Sequence, residues 1–178
     1  MDVVKVHDKT FRLSIPEEKI MEAVDSLARQ ISLDYSDKDP LFLAVLNGAF
    51  VFASDLFKRI SFPCSISFVK IASYAGTSTT GNVKRLIGLN EDLKGREIVI
   101  IEDIIDSGTS MKYLLEELKK LNPLNIRIAS LLFKPEAFRE DYTIDYIGIS
   151  IPNDFIVGYG LDYNGYGRNL RQIYTVVE

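Results

Sequence analysis

Six consecutive apolar residues, Leu41 to Leu46, set the tightest limit on what this chain can fold into. A strand with one face in water alternates apolar and polar side chains, so a run with no polar position must be covered on both faces. Such runs belong to parallel sheets flanked by helices. Arg96 to Glu102 returns to that buried-strand pattern around Val99-Ile100-Ile101, and Ile126–Phe133 and Tyr146–Ile151 read as further strands. Ser65–Ile71, rich in β-branched and aromatic residues, reads as another. Helical patterns fall between them. The first starts at Ser14 with Pro16 in its first turn and Glu17 and Glu18 near the positive helix end, followed by Ile20, Val24, Leu27 and Ile31 at helical spacing. Ala49–Ile60 reads as a second helix, and Thr109–Leu121 as a third, stopped by Asn122-Pro123. Strands alternating with helices give an α/β class with a doubly wound, mostly parallel sheet and right-handed crossovers. Residues 1–178 show no internal repeat or linker and read as one domain. In such a sheet ligands sit beyond the carboxyl ends of the strands, where Asn47, Glu102, Asp103 and Lys134 emerge.

Composition narrows the function classes. A hydrophobic fraction of 47% and a charged fraction of 26% describe an ordinary globular chain, and a net charge of -4 offers no global attraction for a polyanion. Cys64 is the only cysteine, which excludes an internal disulfide or a cysteine zinc site and fits a reducing, cytoplasmic compartment. His7 is the only histidine and lies in a polar amino-terminal segment, where a solvated role is expected, so histidine metal sites and Ser-His-Asp triads have little to draw on. Met1–Ser14 interleaves charge with short apolar steps, unlike a signal peptide, and no run reaches transmembrane length.

Two segments stand apart from the core-forming pattern. Ser73–Lys84, SYAGTSTTGNVK, has few large apolar groups and reads as a long mobile loop. Ile98–Met111, IVIIEDIIDSGTSM, is a buried strand that empties into two adjacent carboxylates, then a third, then a small-residue turn opening a helix. Ser107, Gly108, Thr109 and Ser110 place backbone N–H groups and hydroxyls at a helix amino terminus, a cradle for a phosphate monoester. Glu102 and Asp103 can accept from vicinal ribose hydroxyls or hold a magnesium ion that does. Asp106 then projects from the turn toward whatever lies above such a sugar. The plainer reading, Asp106 and Ser107 as helix caps with a solvated acidic edge, needs one carboxylate only. Three within five positions repel one another unless a cation or hydroxyls compensate.

This segment resembles the PRPP-binding motif (PRPP, 5-phosphoribosyl 1-pyrophosphate) of type I phosphoribosyltransferases, and in detail that of the hypoxanthine-guanine phosphoribosyltransferases. Four further segments match in order. Val45-Leu46-Asn47-Gly48-Ala49-Phe50 resembles the family's pyrophosphate loop. Ser73-Tyr74 with Ser78-Thr79-Thr80-Gly81 resembles its catalytic lid, and Leu132-Phe133-Lys134-Pro135 its purine-reading lysine segment. Ile151–Tyr163, IPNDFIVGYGLDY, resembles the base-stacking segment, with Arg168 at the family's terminal arginine. Asn47 stands where many members carry Lys or Arg, so backbone N–H groups of Asn47, Gly48 and Ala49 must serve pyrophosphate there.

The resemblance implies a type I phosphoribosyltransferase fold with a small hood region and a mobile lid, and transfer of ribose 5-phosphate from PRPP to hypoxanthine or guanine. It implies magnesium as cofactor, a homodimer or homotetramer, and small-molecule substrates in place of nucleic acid or membrane. It assigns PRPP to Glu102, Asp103, Ser107, Gly108, Thr109 and Ser110, pyrophosphate to Asn47, Gly48 and Arg168, and metal contacts to Glu102, Asp103 and Asp162. It assigns the purine to Ile104, Lys134, Phe155, Ile156 and Asp162, the general base to Asp106, and the lid to Ser73 and Tyr74. It also implies a cis peptide at Leu46-Asn47. On residue type alone Lys134 fits a solvated strand end equally well, and Phe155 fits plain core. Two rivals remain open: a nucleic-acid-binding regulator on the same scaffold, and a magnesium-binding receiver-like domain. Basic residues such as Lys119 and Lys120 interleave with Glu116 and Glu117, a mixed surface that does not favour the first.

Overall fold

The two-sided strand is there, and its neighbours show why it had to be. A computed structural model describes residues 3–75 and 82–177. Its elements run β1 Val3–Val6, β2 Lys9–Ile15, α1 Glu17–Tyr35, β3 Leu41–Leu46, α2 Phe50–Phe57, β4 Ser65–Ala75, β5 Asn82–Ile87, β6 Glu97–Ile105, α3 Thr109–Lys119, β7 Asn125–Phe133, β8 Tyr146–Ser150, β9 Ile156–Val157 and β10 Ile173–Val176. The main sheet has the order β5-β4-β3-β6-β7-β8, parallel throughout except for β5 against β4.

Along β3, Phe42 and Ala44 pack with Ile20, Val24, Leu27 and Ile31 of α1 and with Phe52 and Leu56 of α2. Leu41, Leu43 and Val45 point the other way and pack with Met111, Leu114 and Leu118 of α3. Each parity of the strand thus has its own apolar layer, which leaves no place for a polar residue.

Several boundaries differ from the sequence reading. Pro16 is the extended residue just before α1, at φ -70° and ψ 158°, and its carbonyl accepts from the Ile20 N–H. β6 continues through Glu102 and Asp103 to Ile105, still paired with β7, so both carboxylates belong to the strand and not to the turn beyond it. The expected loop Ser73–Lys84 is shorter: Ser73 pairs with Lys84 and Tyr74 with Val83 in an antiparallel ladder. Positions 76–81 of the expected lid lie outside the described residues, as do the side chains of Ser73 and Tyr74.

A second, antiparallel sheet, β1-β2-β10-β9, takes the place of the hood. Its small core is Val6, Phe11, Val157 and Tyr174. The amino-terminal segment therefore forms a hairpin, with Val6 opposite Lys9 and His7 in the turn at φ 58°. Phe11, Leu13 and Ile15 alternate with polar residues, a period-two signal that marks the strand.

Candidate active site

β3 connects to β4 on one side of the sheet, whereas β6 connects to β7 on the other, so the direction of winding reverses between β3 and β6. A crevice opens at such a reversal, beyond the carboxyl ends of the strands. There a cavity of about 360 Å³ is lined by Gly48, Glu102, Asp103, Ile104, Asp106, Lys134, Phe155, Ile156, Asp162 and Arg168. A recess of about 130 Å³ adjoins it, sharing Glu102, Ile104 and Asp106 and adding Ser107, Gly108 and Ser110. A larger cavity, about 500 Å³, lies beside α3 near Leu115, Pro123 and Tyr142, with Lys119 and Asp145 as its charged lining, fewer than the crevice gathers.

The loop after β3 enters through a cis peptide at Leu46-Asn47, as the resemblance implies. The Ala49 N–H already donates to the Val45 carbonyl at 3.2 Å, which leaves Asn47 and Gly48 to meet a ligand there. Gly48 is required by contact: a Cβ at this position would sit 1.9 Å from Asp103 Oδ2. The loop and the acidic strand end are thus packed backbone against carboxylate, with no room for a methyl group.

Asp103 is buried and Glu102 half-buried, and among the described residues no lysine or arginine pairs with Glu102. Burial, and then the charge of Asp103, pushes Glu102 well above the usual carboxylate range. Burial also raises Asp103. The pair would be eased by a cation or by hydroxyl donors. Among the described residues no cluster of three or more metal-ligating side chains forms a complete cage. That donor set suits magnesium, which typically takes one or two protein carboxylates and completes its shell with water and substrate phosphates.

Beyond the strand, Asp106 Oδ2 accepts from Lys134 Nζ at 2.8 Å. The lysine is buried and the aspartate exposed, so the pair closes the floor of the cavity with its acid toward solvent. Arg168 Nη2 meets Asp162 Oδ1 at 2.6 Å, and Asp162 Oδ2 accepts from the Gly165 N–H at 2.7 Å. Phe155 is 47% exposed and not the core residue its composition favours.

Gly108, at φ 88°, opens α3; the Thr109 N–H donates to the Ser107 hydroxyl at 3.5 Å, while Ser110 and Met111 of the first turn line the recess. Residues with no sequence signature hold this cradle from behind. The Tyr142 hydroxyl donates to the Gly108 carbonyl at 2.9 Å, the Arg139 N–H donates to the Ser107 carbonyl at 3.1 Å, and Phe138 sits where a Cβ on Gly108 would fall. Glu140 binds Lys112 of the first helical turn at 2.8 Å. All four follow Lys134 within eight positions, so only the chain's return to the cradle reveals their role.

The phosphoribosyl transferase domain family matches residues 15–164. A hypoxanthine-guanine phosphoribosyltransferase of Streptococcus pyogenes is 40% identical over 163 residues, 91% of each chain. A bifunctional protein TilS/HprT of Listeria monocytogenes is 37% identical over 169 residues, 94% of this chain but only 26% of that relative, so this chain spans about a quarter of its length. The solved hypoxanthine phosphoribosyltransferase of Staphylococcus aureus superposes with a TM-score of 0.83 at 34% identity, covering 99% of this chain and 92% of that one. A doubly wound sheet with a carboxylate pair, a helix-mouth cradle and a buried lysine at its winding reversal, together with these matches, places the chain in the phosphoribosyltransferase family.

Proposed function

We propose that this chain transfers the 5-phosphoribosyl group of PRPP to hypoxanthine or guanine, releasing pyrophosphate and forming the purine nucleoside monophosphate. The supporting observation is the Lys134–Asp106 pair at 2.8 Å, at the junction of a planar-ligand cavity with a phosphate-sized recess. A 6-oxopurine has a carbonyl oxygen and a neighbouring ring N–H that match those two groups. Lys134 donates to the carbonyl at C6, and Asp106 accepts the proton at N7. Adenine carries a donor at C6, which opposes the lysine.

The 5-phosphate rests on Ser107 to Ser110, the ribose hydroxyls on Glu102 and Asp103, and pyrophosphate near Asn47, Gly48 and Arg168. The purine stacks on Phe155, with Ile104 beneath it and backbone groups of Ile156 and Asp162 at its edge. The bond from C1 of the ribose to pyrophosphate breaks, and its electron pair leaves with pyrophosphate. A bond from C1 to the purine forms while Asp106 takes the N7 proton. Positive charge building on the ribose is met by the anionic side chains beneath it, and negative charge on the leaving group by Arg168. Magnesium, held through Glu102, Asp103 and water on Asp162, would add a cation for that leaving group. Release of pyrophosphate from PRPP with hypoxanthine, guanine and adenine supplied separately tests the reading; preferred use of adenine would contradict it.

Self-association and a cytoplasmic location belong to the same proposal. Ile66 of β4 packs toward α1 and α2, so Phe68, two residues on, shares the sheet face covered by α2, which Phe50 opens. Both are more than two-fifths exposed, at 41% and 45%, and offer an apolar surface for a second copy. The location rests on Cys64 as the only cysteine. Among the described residues no helix is long and apolar enough to cross a membrane.

A further inference from the structure

Phe155 meets the cavity with a ring that is 47% exposed, and its carbonyl accepts from the Val176 N–H of β10 at 2.9 Å. Anchoring its backbone does not orient its ring. A half-exposed ring without support samples several rotamers and loses that freedom when a ligand stacks on it.

The support comes from the second sheet. Tyr163 meets Phe155 with ring centroids 5.7 Å apart and planes at 83°. Phe11 of β2, fully buried, lies 6.2 Å from Phe155 and 6.2 Å from Tyr163, so the three rings form one cluster. Separations and angles of this kind are attractive for aromatic pairs. Tyr163 is itself held from the β1–β2 turn. The Tyr163 hydroxyl holds the Asp8 carboxyl below the usual range, and Lys9 Nζ lies 5.9 Å from the ring centroid.

We propose that Tyr163, fixed by Phe11 and Asp8 of the amino-terminal hairpin, is a positioning residue that pre-orients the Phe155 ring for a planar heteroaromatic base and so sets affinity for that base. The inference rests on the reading above that Phe155 stacks on the purine. Glu102 and Ser107, assigned to ribose and phosphate, take no part in the ring cluster. The effect therefore falls on the base and leaves PRPP alone.

Steady-state kinetics, with base and PRPP varied separately, test it on Tyr163→Leu, Phe155→Ala and the double variant. Losing one ring pair raises the KM for the base about three- to tenfold in Tyr163→Leu and leaves the KM for PRPP unchanged. The double variant is expected to be no worse than Phe155→Ala, because a residue acting through Phe155 has nothing left to position. Fully additive losses, or equal rises in both KM values, overturn the proposal. Should Tyr163→Leu not fold, Asp8→Ala at the exposed turn decides: a rise in base KM alone supports the proposal, and no rise overturns it. A Phe155→Ala enzyme with unchanged base KM removes the stacking reading itself and this inference with it. Normal loss in Phe155→Ala with none in Tyr163→Leu and Asp8→Ala removes this inference only.

Discussion

Asp106 is exposed and yet tied to a buried lysine, so its carboxylate is aimed without being desolvated. That suits the proton acceptor proposed for the purine N7. Asp106→Asn keeps the shape and loses the basic oxygen, and it is expected to lower kcat by about 10²-fold or more, read as the initial rate of nucleotide formation. Glu102 poses the opposite case, a carboxylate pushed upward by burial and by Asp103. A carboxyl raised in the folded state contributes stability that is complete below its unfolded value, near pH 4, and is lost as pH rises through the folded value. At neutral pH the ligand-free protein therefore bears a cost that Glu102→Gln removes. The variant is expected to melt about 2–4 °C above the parent at pH 8, converging with it near pH 4, while losing activity. Thermal melts across that range decide; a variant less stable than the parent at pH 8 would count against the raised carboxyl.

At the scale of elements, the end of α1 is pinned to the sheet by a cluster that serves the fold and not the chemistry. Asp34 accepts from the Tyr146 hydroxyl of β8 and from Arg127 of β7, and those partners hold its carboxyl below the usual range. Its side chain is 40% exposed, so solvent screens the pair, and Asp34→Asn is expected to cost about 1 kcal/mol at pH 7. A depressed carboxyl stabilises above its unfolded value and loses that effect as pH falls through the folded value. In denaturant titrations the difference should be complete at neutral pH and shrink as pH falls below the unfolded value near 4. The cradle is an element of another kind. Its helix start was legible in Ser107-Gly108-Thr109-Ser110, because turn chemistry is local. Its supports, Tyr142 and Phe138, were not legible, because nothing in a loop sequence says which earlier loop it will touch.

The described residues form two sheets, with the crevice at the winding reversal of the larger, and the exposed rings of Phe50 and Phe68 carry the last prediction. On the self-association proposed above, Phe50→Glu places a charge on the interface and is expected to leave the protein sedimenting as a monomer; unchanged assembly would move the interface elsewhere. The alternation of buried strands with amphipathic helices settled the class of fold, since both faces of Leu41–Leu46 needed cover whatever the details. The run IVIIEDIIDSGTSM likewise marked the acidic strand end and the helix mouth, because residues that act together there are neighbours in the chain. What local sequence could not decide were the meetings of distant segments: Gly48 against Asp103, Lys134 on Asp106, and Phe11 and Asp8 around Tyr163. Periodicity reports which side of an element is buried but not what lies opposite. Only the closed packing of both sheets brought an amino-terminal hairpin without a motif to the back of the Phe155 ring at the cavity.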